Sequence, residues 1–311
     1  MNGHVLVIGA MLLDTKGKPT TGLEPNTSNP AEIRNTRGGT ARNVAENLGL
    51  LGADVVLISA VGDDISGRRL LAQTTAANVN TEHVVVVEDA NTGSYLAILN
   101  GDGSLAVALN DTRVMMNLTP DYLYRKRQLF RDAVLIFFDG SLSPHTIQVL
   151  LFLAEQYNIP ICADPASTRL AYKLHPHLEQ LVLAVPNEAE AVQLCQVDVS
   201  AEEYVNDRGL KLARQLHQRG VELAVVTLPD FGFAYASSHE SGYLPAHYHE
   251  VVDATGTGDA ISSAIIFGLM EALPVVECLR LGVAAAGLTL QSAETVRPNL
   301  TLDLLYDHLF V

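Results

Sequence analysis

Asp253 to Asp259, DATGTGD, stand directly before the apolar run AISSAIIFGLM. A helix starting here needs one capping side chain, and Asp253 or Thr255 would serve. Two glycines and a second carboxylate in the first turn exceed that need. If the helix begins near Gly258, the N–H groups of Gly256, Thr257 and Gly258 point outward unpaired. Glycine lets a ligand approach the backbone, and the helix dipole favours negative charge. The result is an anion hole that requires no Lys or Arg. Asp259, beside it, is placed to take a proton from a hydroxyl attacking a phosphoryl group while the N–H groups stabilise the transferring oxygens. A lone Gly-x-Gly would as readily be a helix cap; the carboxylates on both sides of it favour phosphoryl chemistry.

Such a turn must be held by a scaffold, and the chain alternates strand-like and helical patterns. HVLVIG, DVVLISAVG, AVLIFFDG, IPICADP, LVLAVPN and VELAVVT are continuous apolar runs bounded by Gly, Asp, Pro or Asn, as expected of strands buried on both faces. Between them, TARNVAENLGLLG places Ala41, Val44, Ala45 and Leu48 on one helical face and closes at Gly52. Alternation of this kind predicts an α/β fold with a doubly wound, mostly parallel sheet. After the first strand, GAMLLD lacks Gly-x-Gly-x-x-Gly, which argues against a dinucleotide-dependent oxidoreductase. Two regions break the rhythm. Thr15 to Arg37 has no helical period, and His83 to Val107 reads as successive strands HVVVVE, GSYLAIL and SLAVAL with turns at DANTG and NGDG. They predict a small β-sheet lid, from about 15–37 and 83–112, inserted in a single domain over 1–311.

Composition narrows the partners. The 311 residues are 48% apolar and 18% charged, ordinary for a globular protein. Twenty Lys and Arg against 35 Asp and Glu leave a net charge of −15, which repels phosphate backbones and disfavours a nucleic-acid polymer. An anionic small molecule would need a local positive feature such as a helix N-terminus. Cys162, Cys195 and Cys278 lie in apolar surroundings without a CxxC pair and read as buried reduced thiols. MNGHVLVIGA lacks a basic n-region, and no apolar run reaches membrane-spanning length, so the expected location is the cytoplasm.

DATGTGDA resembles the C-terminal signature of the ribokinase-like sugar and nucleoside kinases. Arg37 to Gly67, RGGTARNVAENLGLLGADVVLISAVGDDISG, resembles their N-terminal signature, and PNEAE (Pro186–Glu190) a third. Order, spacing and strand–helix alternation match over essentially the whole chain. The resemblance implies a three-layer α/β/α domain with a β lid that transfers the γ-phosphate of ATP to a primary alcohol. It makes Asp259 the catalytic base and Gly256, Thr257 and Gly258 the anion hole. Asn187 and Glu190 would help place Mg²⁺ and the phosphates, partly through water, since a hard cation prefers oxygen ligands and retains waters. Gly38, Gly39 and Asn43 match the substrate-side motif, and Asp14 matches an Asp that binds sugar hydroxyls. Thr227 and Gly232 become nucleotide neighbours, with the adenine expected near Ala284 to Thr289. Asp253 and Thr255 lie where some relatives bind a monovalent cation such as K⁺. The chain departs from the pattern at Leu12, where Asn is common, and at Pro229, where Gly is common in the nucleotide loop.

Within that family, Thr27 to Asn43, TSNPAEIRNTRGGTARN, resembles the pseudouridine kinases, as do LNDT (Leu109–Thr112) and CADPAS (Cys162–Ser167). This implies transfer to the 5′-hydroxyl of pseudouridine. Thr27, Ser28 and Asn29 could match the two N–H donors and two carbonyls of its base, with Asn110 and Asp111 closing over ribose or base. Ser-Asn-Pro is also ordinary turn chemistry. Arg42 would orient a substrate carbonyl or pair with an acidic neighbour. Alternatives are another sugar or nucleoside as acceptor, such as ribose, a hexose or adenosine, and a silent nucleoside-binding protein. Apolar residues on the lid strands (Val85, Val87, Leu96, Ile98) predict a homodimer formed through the lid.

Overall fold

Every residue of β1, His4–Ile8, is buried, and its neighbours face opposite ways. Leu6 and Ile8 join one hydrophobic core, Val5 and Val7 another. This arrangement repeats along the sheet, and it is why the apolar runs carry no alternation. The computed structural model describes residues 3–101, 104–199, 204–247 and 251–310. After β1 come β2 (Leu12–Pro19), β3 (Ala31–Gly38), α1 (Thr40–Leu50), β4 (Val55–Ile58), β5 (Ala60–Gly62), α2 (Ile65–Ala76) and β6 (Val79–Asn80). Next are β7 (Val85–Val87), β8 (Ser94–Leu99), β9 (Leu105–Asp111), α3 (Pro120–Arg125), α4 (Arg127–Arg131), β10 (Ala133–Asp139) and α5 (Pro144–Tyr157). Then follow β11 (Ile161–Asp164), β12 (Leu183–Ala184), α6 (Glu188–Cys195), α7 (Val205–Gln218), β13 (Leu223–Thr227) and β14 (Phe233–Ala236). The series closes with β15 (Ser241–Leu244), α8 (Thr257–Met270), α9 (Val275–Leu290) and α10 (Leu302–Asp307).

Nine of the described strands form the main sheet in the order β15-β14-β13-β12-β11-β10-β1-β4-β6. It is parallel from β13 to β6, and β14 and β15 add an antiparallel edge. Residues of α3, α5, α6 and α7 join the core on the Leu6 face, and those of α1, α8, α9 and α10 the core on the Val5 face. The three-layer expectation is met. Cys162, Cys195 and Cys278 are free and buried. Among the described residues no helix is long and apolar enough to cross a membrane.

A separate four-stranded sheet has the order β3-β2-β8-β9, with β2 and β8 parallel and the outer pairs antiparallel. It corresponds to the predicted lid, with two differences. Its first strand begins at Leu12, and HVVVVE is not part of it. Val85–Val87 pair instead with β5 in a two-stranded sheet, and Val85 and Val87 pack against the main core. An apolar run reads the same in a lid as against a core; only its partner decides. Part of the NGDG turn, residues 102 and 103, lies outside the described residues.

Candidate active site

The C-terminal ends of the parallel strands gather polar groups along one edge of the sheet, the side on which open α/β sheets bind ligands. β10 ends on Asp139 and β11 on Asp164, while β12 leads to Asn187 and β13 ends on Thr227. A cavity of about 870 Å³ opens beside them, walled by Asp14, Asn43, Asp253, Thr255 and Asp259, with Lys16, Tyr95 and Asn110 of the small sheet above.

Asp259 is held from α1. That helix packs on α8 through Ala41, Val44, Ala45 and Leu48 against Ala260, Ile261 and Ala264, all in one core. The packing brings Asn43 Nδ2 to 2.6 Å from Asp259 Oδ2. Arg42, fully buried, explains why the amide points that way. Its Nη1 donates to Glu46, which also pairs with Arg37 at 2.9 Å, and its Nη2 donates to Asn43 Oδ1. With Oδ1 engaged, only Nδ2 is left for the carboxylate. Arg42 therefore pairs with an acidic neighbour and orients Asn43. Burial pushes Asp259 up to about 7, against the opposing pull of the Asn43 bond and the Arg42 charge. Burial likewise raises Asp14 to about 6. A carboxylate titrating near neutrality is suited to take and release a proton.

Three of the predicted site glycines are sterically required, among them Gly39, with φ +94° and a Cβ that would meet Ala10 O at 2.3 Å. At Gly38 a Cβ would fall 1.9 Å from Asp14 Oδ1, so the carboxylate rests against bare backbone. Gly256 has φ +84°, and a Cβ there would meet Thr295 O at 2.0 Å. Gly258 faces open space, with nothing within 4 Å of a Cβ. The N–H of Thr257 is drawn to Ala254 O at 3.3 Å, so the opening belongs mainly to Gly256 and Gly258. α8 thus starts with its N-terminus free to meet an anion.

Asn187 and Glu190 form a capping box at the start of α6. Glu190 N–H donates to Asn187 Oδ1 at 3.0 Å, and Asn187 N–H donates to Glu190 Oε2 at 2.9 Å. The arrangement leaves carboxylate lone pairs available, and burial raises Glu190. Asp164, buried, is raised well above the ordinary carboxylate value by burial and by repulsion from Glu190 and Asp259. Among the described residues no three His, Cys, Asp or Glu converge to hold a metal directly. A donor set of this kind would suit Mg²⁺ only as an ion that keeps water and ligand oxygens, with Glu190 and Asp164 as candidate carboxylates near it. A second cavity, of about 420 Å³, is lined by Asn187, Thr227 and Pro229 among others. Thr227 bridges to Asn187.

Other expected residues stand elsewhere. Thr27, Ser28 and Asn29 occupy the loop between β2 and β3 and do not line the cavity. The Asn29 side chain is engaged in the turn, bonding Glu24 N and O and Thr27 O. Asp111 is clasped by Arg113 at 2.9 and 2.6 Å, and those bonds pull it down to about 2; its strand neighbour Asn110 faces the cavity instead. Gly232 lines neither cavity. Its Cβ would strike Leu244 O at 2.7 Å, so its small size serves the β14–β15 hairpin. Ala284 to Thr289 are buried within α9 and do not reach either cavity. Leu12 lines the main cavity where an Asn was anticipated. At Asp253 and Thr255, the position expected for a monovalent cation, Lys16 Nζ makes bonds of 2.6 and 2.5 Å.

Sequence reasoning missed Lys16, Tyr95, Asp139 and Asp164. Asp139 Oδ2 accepts from Ala10 N at 2.8 Å and Ala41 N at 3.1 Å, and Oδ1 from Ser141 N at 2.9 Å. A polar residue closing a buried strand (FFDG, CADP) was the available signal for both aspartates.

The pfkB family carbohydrate kinase model matches residues 2–302. A pseudouridine kinase from Escherichia coli is 32% identical over 300 residues, covering 96% of this chain and 94% of that protein. Among solved structures, Arabidopsis thaliana ribokinase complexed with ribose and ATP aligns over 100% of both chains with TM-score 0.81 and 20% identity. A candidate ribokinase II of Escherichia coli, solved with ATP and Mg²⁺, aligns over 99% of each chain with TM-score 0.83 and 18% identity. These two likenesses speak to the fold alone.

Proposed function

The chain belongs to the pfkB family of carbohydrate kinases, and we propose that it phosphorylates the 5′-hydroxyl of pseudouridine with ATP and Mg²⁺. The observation that carries a kinase reading is Asp259. It is a half-buried carboxylate raised to about 7, held by Asn43 at 2.6 Å, beside the open turn at Gly258. In this reading Asp14 and Asn43 bind sugar hydroxyls, and Asp259 takes the proton of the attacking alcohol. The N–H groups of Gly256 and Gly258 then receive the negative charge of the transferring phosphoryl oxygens. Asn187 and Thr227 would border the nucleotide, and Glu190 and Asp164 would supply carboxylate charge toward Mg²⁺. When bound, Mg²⁺ neutralises the phosphates. Choice of pseudouridine rests on the 32% identical relative and on TSNPAEIRNTRGGTARN, and within this reading Asn110 and Tyr95 face the acceptor. Thr27 to Asn29 enter this reading only through that likeness of sequence, since they do not line the cavity. We also propose a homodimer formed through the outer face of the small sheet.

The test is ADP release from ATP and Mg²⁺ with pseudouridine, uridine, adenosine, ribose and fructose side by side. Preference for pseudouridine supports the reading. Turnover of another acceptor retains the Asp259 mechanism and replaces the substrate. Silence with every acceptor overturns it in favour of a binding protein.

A further inference from the structure

The small sheet touches the turn before α8 through one ion pair. Lys16, on β2, lies 237 residues from Asp253, yet its Nζ is 2.6 Å from Asp253 Oδ2 and 2.5 Å from Thr255 Oγ1. Lys16 and Asp253 retain only 12% and 19% of side-chain exposure, so the pair is poorly screened by solvent. The other oxygen of the same carboxylate, Oδ1, accepts from Thr255 N at 2.8 Å. Asp253 therefore ties the ammonium to the backbone one residue before Gly256. Burial works against its ionisation, but the Lys16 and Thr255 bonds outweigh this and hold it below the ordinary carboxylate range.

On its own sheet Lys16 has charged neighbours of both signs, since its charge also acts on Asp14 of the same strand. Across β2 and β3 it is paired directly with Arg34, and both line the cavity. Like charges directly opposite one another in a sheet repel. The direct ion-pair partner of the ammonium, however, lies across the gap, in Asp253.

We propose that Lys16 serves as a tethered monovalent cation, filling with its own ammonium the position where resemblance led us to expect K⁺. Residues Asp253 and Thr255 do not fit a free ion, because Nζ already occupies the position within bonding distance of both oxygens. An ammonium has three donors, and it carries the same single charge on a stem anchored in the small sheet. The substitution has two consequences. The protein does not depend on K⁺, and the turn at Gly256 is braced only when the small sheet is docked over the cavity. The importance of the turn rests on the kinase reading above; occupancy of the Asp253 site by Lys16 does not.

The experiment compares wild type, Lys16→Met and Lys16→Gln in buffer whose only cation is tetramethylammonium and in buffer containing K⁺ or Na⁺. Thermal unfolding is read first, since it needs no substrate, and ADP release second. The expected wild-type midpoint and rate are indifferent to K⁺. Without K⁺ both variants should lose transfer, by about 10²-fold for a lost charge at the turn. Added K⁺ should raise their unfolding midpoint and restore the rate. A wild type stabilised or activated by K⁺ overturns the proposal, as do folded variants whose midpoint does not respond to K⁺. If no acceptor is turned over by wild type, the kinase reading falls, while the K⁺ response of the variants' midpoint still decides this one.

Discussion

In the proposed reaction Asp259 acts as the base, and its environment makes it suited to that role. A carboxylate with an ordinary value of 3.8 would be a weak base at neutral pH, and burial lifts it to about 7. Activity should therefore rise with pH through about 7 as the base ionises, read from kcat/KM against pH. Asp259→Asn should lower phosphoryl transfer by about 10²–10⁴-fold while sparing acceptor binding; a variant within tenfold of wild type removes the assignment. Stability follows the opposite direction. The folded value lies above the unfolded one, so the folded state binds more protons between pH 3.8 and about 7 and loses stability as pH rises through that window. Above it, Asp259→Asn should unfold at the same or a higher temperature than wild type. Asn43→Ala removes the donor that stabilises the ionised form, so the acid limb of the activity profile should move to higher pH.

Helix α1 presents Asn43 and begins at Gly39, which has no side chain to cap it. The cap comes from another element: Asp139 at the end of β10 accepts from Ala41 N and also from Ala10 N. One carboxylate thus joins β1, β10 and α1 beneath the site. Asp139→Ala should leave both N–H groups buried and unpaired, costing about 2–4 kcal/mol in urea unfolding. It should also raise KM for the acceptor, because α1 would no longer be pinned at its first turn. The helix pattern of α1 and the strand of β10 were both legible, yet their bond was not. It spans 98 residues, and no local periodicity reports such a pair.

At the scale of the molecule, the small sheet has two unlike faces. One turns Lys16, Tyr95 and Asn110 to the cavity. The other exposes Ile33 (69%), Leu109 (66%), Val107 (53%) and Leu96 (38%). Leu96, Val107 and Leu109 are neighbours on β8 and β9, with Leu96 paired to Leu109, and Ile33 stands on β3 beyond Gly17 of β2, in register with Ile98 and Val107. A contiguous apolar face of this kind is unusual on a monomer. Light scattering at micromolar concentration should give about twice the 33.4 kDa chain mass, and Val107→Lys with Leu109→Lys should halve it. A wild-type mass of one chain removes the dimer.

The sequence by itself determined the alternating α/β architecture, the main sheet, the small β insertion and the turn from Asp253 to Asp259. Each is local: apolar periodicity, β-branched runs and glycines whose backbone demands are met within a few residues. Which carboxylates gather, and what each one faces, was decided only by tertiary structure. Asp164 acquires its shift from burial and then from Glu190 and Asp259, and Asp253 meets an ammonium from another sheet. Adjacent Asn110 and Asp111 part company because strand pleating sends one to the cavity and leaves the other with Arg113. Val85 to Val87 read as lid strand yet pair with β5, because strand propensity names a conformation and not a partner. Burial and long-range pairing arise when distant segments close on one another, and they set the charge at this site.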